Sequence, residues 1–236
     1  MARTAVMHVW GVSGARIPQA LLLTAAWQVA RRGRRAPAFG KALGTGSGRT
    51  FTLRDSDPQH WALLTVWPDA AAAERFEAHW LVRAWDAACD ERLRITMQPV
   101  SARGSWSGAS PLAPAPDSPG RHSGDSLAVA AITRARVKPQ HWRTFARSVP
   151  PVSTDLHAHA GPFFALGIGE APIGLQGTFS LWRSHADIEA FAYQRPAHRV
   201  AIAQTAELDW YAEEMFARLA VTACEGTYRG TEVLGS

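Results

Sequence analysis

Phe39-Gly40-Lys41-Ala42-Leu43-Gly44-Thr45-Gly46 and its later echo, Phe163-Phe164-Ala165-Leu166-Gly167-Ile168-Gly169, both read as apolar strands punctuated by glycine, with Leu-Gly-x-Gly at matching places. Each is followed by a second strand that ends in tryptophan, Trp61 to Trp67 and Gly177 to Trp182. A helix comes next, and Trp67 to Phe76 and Trp182 to Phe191 repeat the same nine-residue step into it. Upstream of each echo stand a β-like run, Ala5 to Val12 or Leu127 to Val137, and a helix, Ile17 to Arg32 or Pro139 to Arg147. Pro139 suits a first helical turn, where its missing N–H would have had no partner. Both halves close with a further strand, around Leu93 to Arg103 and Ala217 to Cys224.

The order is βαββαβ twice, the ferredoxin-like pattern in which two helices cover one face of a four-stranded antiparallel sheet. The other face of such a sheet needs a partner, and two copies in one chain can supply it to each other. The sequence therefore predicts an α+β fold: two ferredoxin-like repeats, residues 1–103 and 127–236, packed sheet to sheet as an intramolecular barrel around a ligand pocket. Residues 104–126, GSWSGASPLAPAPDSPGRHSGDS, have no apolar period and read as a linker.

At 236 residues with 47% hydrophobic content the chain can bury a substantial core. A net charge of +5 invites a nucleic-acid partner, but the basic residues are scattered apart from Arg31, Arg32, Arg34 and Arg35, which equally suit the negative end of a helix dipole, so no nucleic-acid partner is expected. Cys89 and Cys224 form neither a CxxC pair nor a zinc pattern, which favours a reducing, cytoplasmic setting. The apolar run Ile17 to Ala30 is too short and too polar to span a bilayer, and its basic residues follow rather than precede it, unlike a signal peptide. Peripheral contact with a membrane stays open, because Leu21, Leu22, Leu23 and Trp27 adjoin the arginines.

Gly44-Thr45-Gly46-Ser47-Gly48 lacks both the Lys-Ser/Thr of a phosphate loop and the third glycine of a dinucleotide turn. Its backbone N–H groups could hold an anion; a β-bulge or turn is the ordinary alternative. His157 and His159 lack a third metal ligand, and His8, His60, His122 and His141 belong to no constellation legible in the sequence. His79 and His185, on the second helix of each half, suit solvated or capping roles. His198 follows Pro196 at the start of an amphipathic segment, where a neutral imidazole suits either an axial bond to haem iron or a structural role. No nucleophile with a base, no glycosidase-like carboxylate pair and no HExxH is present, which disfavours hydrolysis by side chains alone. Ten tryptophans fit an aromatic core or a large apolar ligand surface.

Several stretches, in order, resemble the spheroidene monooxygenase family of carotenoid biosynthesis. They are Lys41 to Gly48 with Phe51-Thr52, Thr65-Val66-Trp67-Pro68-Asp69, Ser101 to Gly108, Ala130 to Ala135, Gly167 to Pro172, Thr178 to Trp182 and Pro196-Ala197-His198. The resemblance covers most of the chain outside the linker and implies a haem-dependent monooxygenase acting on a long apolar, carotenoid-like substrate with dioxygen and electrons from a ferredoxin-type donor. It places the chain near the dimeric α+β barrel haem proteins and makes His198 the axial iron ligand, with one extra residue between proline and histidine as a departure. Arg103 and Trp106 then become candidates for the pocket wall, Arg103 donating to bound oxygen or a haem propionate, with a surface cation as the alternative. Lys41, Gly44 and Gly46 become candidates for propionate contact, with turn geometry as the alternative. The rival readings are another haem reaction (dehydratase, peroxidase-like or haem-degrading), a haem carrier or sensor, and a cofactor-free monooxygenase; the substrate and any homo-oligomer stay open.

Overall fold

The structure, a computed structural model, describes residues 2–33, 36–47, 55–115, 128–141, 162–170, 177–194 and 211–234. In the first half β1 (Thr4–Gly11), α1 (Ile17–Ala30), β2 (Phe39–Gly46), β3 (Ser56–Trp67), α2 (Ala70–Glu77), α3 (Trp80–Ala88) and β4 (Glu91–Gly104) follow one another. The second half contributes β5 (Ala128–Val137), β6 (Phe164–Glu170), β7 (Gly177–Trp182), α4 (His185–Gln194), β8 (Tyr211–Tyr228) and the short β9 (Thr231–Glu232). Of the helix expected from Pro139 to Arg147, a 3-10 turn at Pro139–His141 lies within the described residues.

All strand pairings are antiparallel, and the strand order is β4-β1-β3-β2-β6-β7-β5-β8-β9. A further pairing of β4 with β8 closes the first eight strands into a barrel. The α+β expectation holds, with the two halves joined along two seams. One is β2 against β6, where Gly44 faces Gly169; the other is the long β4–β8 ladder from Leu93↔Gly226 to Gly104↔Met215.

Period-two alternation sorts side chains inward and outward. Ala5, Met7 and Val9 of β1, Leu64 and Val66 of β3, Leu93, Ile95 and Met97 of β4, Phe179 and Leu181 of β7 and Leu219 and Val221 of β8 fill the interior. The volume between the sheets, expected to hold a ligand pocket, is thus occupied by core side chains. The outward residues of the first half, Val6, Trp10, Trp61, Leu63 and Trp67, form a second core with α1, α2 and α3.

Two tryptophans seat the helices as the sequence spacing suggests. Trp67 packs on Phe76 with ring centroids 4.9 Å apart and Trp182 on Phe191 at 5.4 Å. Each indole donates 2.9 Å to the hydroxyl two residues upstream, Thr65 or Ser180. The single helix expected after Trp67 is two. Asp69 caps α2 by accepting from Ala72 N at 2.7 Å, whereas His79 has extended backbone and accepts from Leu81 N through Nδ1, starting a new helix. Ser184 caps α4 in the same manner through Asp187 N.

The stretch expected as a linker is partly core: Trp106 and Leu112 are fully buried among the interior side chains. Among the described residues no helix is long and apolar enough to cross a membrane.

Gly104 and Gly226 occupy matching positions at the two ends of the β4–β8 ladder, at φ +86° and +88°. A Cβ on Gly104 would lie 2.1 Å from the Glu214 carbonyl oxygen, and one on Gly226 would lie 2.0 Å from that of Arg92. Gly104→Ala and Gly226→Ala are each expected to lower stability by about 2 kcal/mol or more, read from urea unfolding midpoints.

Candidate functional site

The interior-facing series on four strands ends in charge at one end of the barrel. Ala128, Ala130 and Ile132 lead to Arg134; Leu219, Ala217 and Met215 to Glu213; Phe164, Leu166 and Ile168 to Glu170; and Leu43 to Lys41. These four meet around Trp106. The Trp106 indole donates to Glu170 at 2.6 Å, Lys41 Nζ donates to the other Glu170 oxygen at 2.5 Å, and Arg134 Nη2 donates to Glu170 at 2.7 Å. Arg134 also bonds Glu213 and lies over the Trp106 ring, 5.4 Å from its centroid. Phe39 packs edge-on against the same indole, with ring centroids 5.6 Å apart. Lys41 further reaches Ser107 Oγ at 2.7 Å, while Glu213 accepts from Gly108 N at 2.8 Å and from Ser105.

Arg134 is 2% exposed, and its buried charge is paired with two carboxylates. Burial would raise the Glu170 carboxyl, but Lys41, the Trp106 indole and Arg134 hold it below the ordinary carboxylate value. Glu213 is held down likewise by the Gly108 N–H and Arg134.

The opposite end carries a related arrangement. Glu91, at the start of β4, accepts from Arg229 N at 2.8 Å, Gly230 N at 2.9 Å and Thr227 Oγ1 at 3.2 Å. Glu213, at the start of β8, performs the same service for the turn after β4. Both turn tips, Ser107 and Arg229, have positive φ. His60 bridges Asp57 and Glu91, 2.8 Å from each, and packs on Tyr228. Burial disfavours its imidazolium, yet the two carboxylates prevail and raise it above 6.5. His8, on the outer face, gives Nε2 to Glu77 at 2.9 Å and stacks on Trp10, which stacks on Trp85. Burial keeps His8 below 6.5, and the Glu77 carboxyl, against the pull of burial, falls to about 2 beside His8, Arg92 and Arg94.

The structure therefore brings Lys41 and Trp106 together but not Arg103. Arg103 faces outward, exposed, over the Phe216 ring at 5.0 Å. Gly44 and Gly46 lie inside β2, paired on both sides by β3 and β6, with a register shift at Gly44/Thr45. Their place is a bulged strand rather than a free anion-binding turn. His198, His157, His159 and His122 lie outside the described residues. His8 and His60 each belong to a carboxylate constellation after all, and His79 caps α3 as expected. Glu170, Arg134 and Glu213 went unread, although continuing the alternation Ala128-x-Ala130-x-Ile132 two residues further lands on Arg134.

The outer faces of the two halves differ in bulk. Taking Trp67 and Trp182 as matching anchors, β1 and β3 pair Val6 with Thr65 where β5 and β7 pair Ala131 with Ser180. The next pair is His8 with Leu63 in the first half and Thr133 with Thr178 in the second. Trp10 then corresponds to Ala135. The first half fills its outer face with large rings, and the second leaves a shelf of small side chains beside α4.

Such a closed antiparallel sheet flanked by helices defines an α+β barrel, and aldoxime dehydratase shares the fold: TM-score 0.62 at 11% identity, over 99% of this chain and 87% of that one. No protein-family model matches the chain. Spheroidene monooxygenase of Rhodobacter capsulatus is 34% identical over 205 residues, 84% of this chain and 81% of the relative. That of Rubrivivax gelatinosus is 37% identical over 196 residues, 81% and 72% of the two chains. The chain belongs to the spheroidene monooxygenase family and is an enzyme, a monooxygenase.

Removing the cation from the buried network exposes its cost. Arg134→Ala removes the buried cation shared by Glu170 and Glu213, leaving Glu170 with Lys41 and Glu213 with the more exposed Arg136, and is expected to destabilise by about 3 kcal/mol in denaturant unfolding. At the other end, the His60 value lies higher folded than unfolded, so its contribution is complete below about pH 6.5 and disappears as pH rises through the folded value. The melting temperature of the native chain is expected to exceed that of His60→Gln most at pH 6, with the gap narrowing toward pH 9; a constant gap would contradict the assignment.

Proposed function

We propose that the enzyme is a haem-dependent monooxygenase of an apolar, carotenoid-like substrate, with the haem seated on the outer face of the second half and His198 as its axial ligand. The observation that carries this reading is the shelf of Ala131, Thr133, Ala135 and Thr178, at positions where the first half has Val6, His8, Trp10 and Leu63. Truncating four side chains on one sheet face leaves depth for a flat group between that sheet and whatever covers it. α4 packs on the same face through Trp182 and Phe191, and His198 follows its last residue, Gln194, by four positions in sequence.

The donor chemistry agrees. His8, His60 and His79 already commit ring nitrogens to Glu77, to Asp57 and Glu91, and to Leu81 N, and among the other histidines the sequence resemblance and its position after α4 favour His198. The strand order also supports the finer reading of two βαββαβ repeats, since β4-β1-β3-β2 and β8-β5-β7-β6 follow one plan. Haem, when bound, supplies the activation of dioxygen. The chain's own part would be to hold it through the imidazole, to shield it from water with Trp182 and the apolar side chains of α4, and to orient a long hydrocarbon beside it. The family relatives are named for spheroidene, which makes a carotenoid the first substrate to try. Electrons come from a ferredoxin-type donor in this reading.

Lys41 and Trp106 are assigned to the ionic cluster at the barrel end, as positioning residues for β2, β6 and the turn after β4, and Arg103 to the surface. The test is the absorption spectrum of the haem-supplemented chain beside His198→Ala. Loss or marked shift of the Soret band in the variant is expected, together with product formation that stops when dioxygen is withheld. Identical spectra would remove His198 as ligand, and turnover without dioxygen would favour a dehydratase.

A further inference from the structure

We infer that the outer surface formed by α1 and α3 docks on an anionic lipid bilayer. α1 contains no charged residue from Ile17 to Ala30, and apolar side chains stand on both of its sides beside Gln19, Thr24 and Gln28. Its inner side buries Ala20, Trp27 and Ala30. Its outer side presents Pro18, Leu22, Ala25 and Val29, spaced so as to fall on one stripe, and Leu22 and Val29 are 71% and 70% exposed. Leu21, beside the stripe, is 44% exposed. A surface helix normally turns polar residues to water, so an apolar outer stripe marks a contact face.

α3 extends this face. Arg16, before α1, donates to Ala88 O at the end of α3, and the antiparallel strands that α1 and α3 flank set the two helices antiparallel. Trp80, the first residue of α3 and 50% exposed, therefore falls toward the end of α1 that carries Arg31 and Arg32. Arg83 is exposed one turn after Trp80.

Charge identifies the occupant. The carboxylates nearby are paired: Asp86 of α3 with Arg92 and the Trp10 indole, and Glu74 and Glu77 of α2 with Arg94, Glu77 also with Arg92. Among the described residues no carboxylate pairs with Arg31, Arg32 or Arg83. The outward face presents apolar side chains, the uncharged Gln19 and Gln28, an exposed indole and cations, the complement of a bilayer whose headgroups are negative and whose interior is hydrocarbon. The inference is independent of which reaction the enzyme performs.

The test is co-sedimentation of the full chain with vesicles of phosphatidylglycerol and phosphatidylcholine in equal parts, and with phosphatidylcholine alone. Binding to the anionic vesicles is expected. Leu22→Glu/Val29→Glu should weaken it about tenfold or more, and Arg31→Gln/Arg32→Gln/Arg83→Gln should abolish the preference for anionic lipid. All these positions are exposed, and unchanged melting curves establish that each variant is folded. A native chain that stays in the supernatant with both vesicles overturns the inference, as does equal sedimentation of the Leu22→Glu/Val29→Glu variant. A dimer in sedimentation velocity that this variant loses, without vesicle binding by the native chain, also overturns it and gives the face to a second copy.

Discussion

The pairing of β4 with β8 is the constraint on which the rest of the molecule depends. An antiparallel sheet of eight strands left open would expose two edges of unpaired N–H and C=O groups. Joining its first and last strands removes both edges and fixes the inward and outward parity of every strand at once. That ladder runs nearly the full length of β4, and a glycine of positive φ stands at each end of it. Beyond each glycine the chain turns back toward the glutamate that starts the partner strand, Glu213 for the turn after β4 and Glu91 for the turn after β8. Closure and end-capping are thus one device used twice, each half of the chain fastening the other.

Much of this was legible in the sequence because it rests on local spacing. Strand, helix and strand are dictated by alternation and by the Trp67–Phe76 and Trp182–Phe191 steps, which are also the contacts that seat helix on sheet. Residues that act through distant partners were not legible. Glu170 meets Lys41, and Arg134 meets Glu213, only because the barrel folds together strands far apart in the chain. The same holds for His60 with Glu91. His8 gave no sign of its burial, since its Glu77 partner arrives from a helix beyond two further strands.

Two features were partly masked by composition. Serine, proline and glycine around Trp106 hid a tryptophan and a leucine that anchor the supposed linker in the core. Leu-Gly-Thr-Gly was legible as a strand with a β-bulge, but the closeness of the two strands from different halves that meet there was not. The apolar character of Ile17 to Ala30 was plain in the sequence, but only the structure tells its buried side from its exposed one.

The ionic clusters at the two barrel ends bear on how a long hydrophobic molecule could travel. Arg134 with its two glutamates stoppers one opening, and His60 with Asp57 and Glu91 stoppers the other. Passage of a ligand down the axis would strip these charges of their partners. The barrel is therefore a plugged, rigid body rather than a tube, and a site of the kind proposed above would lie against its outside.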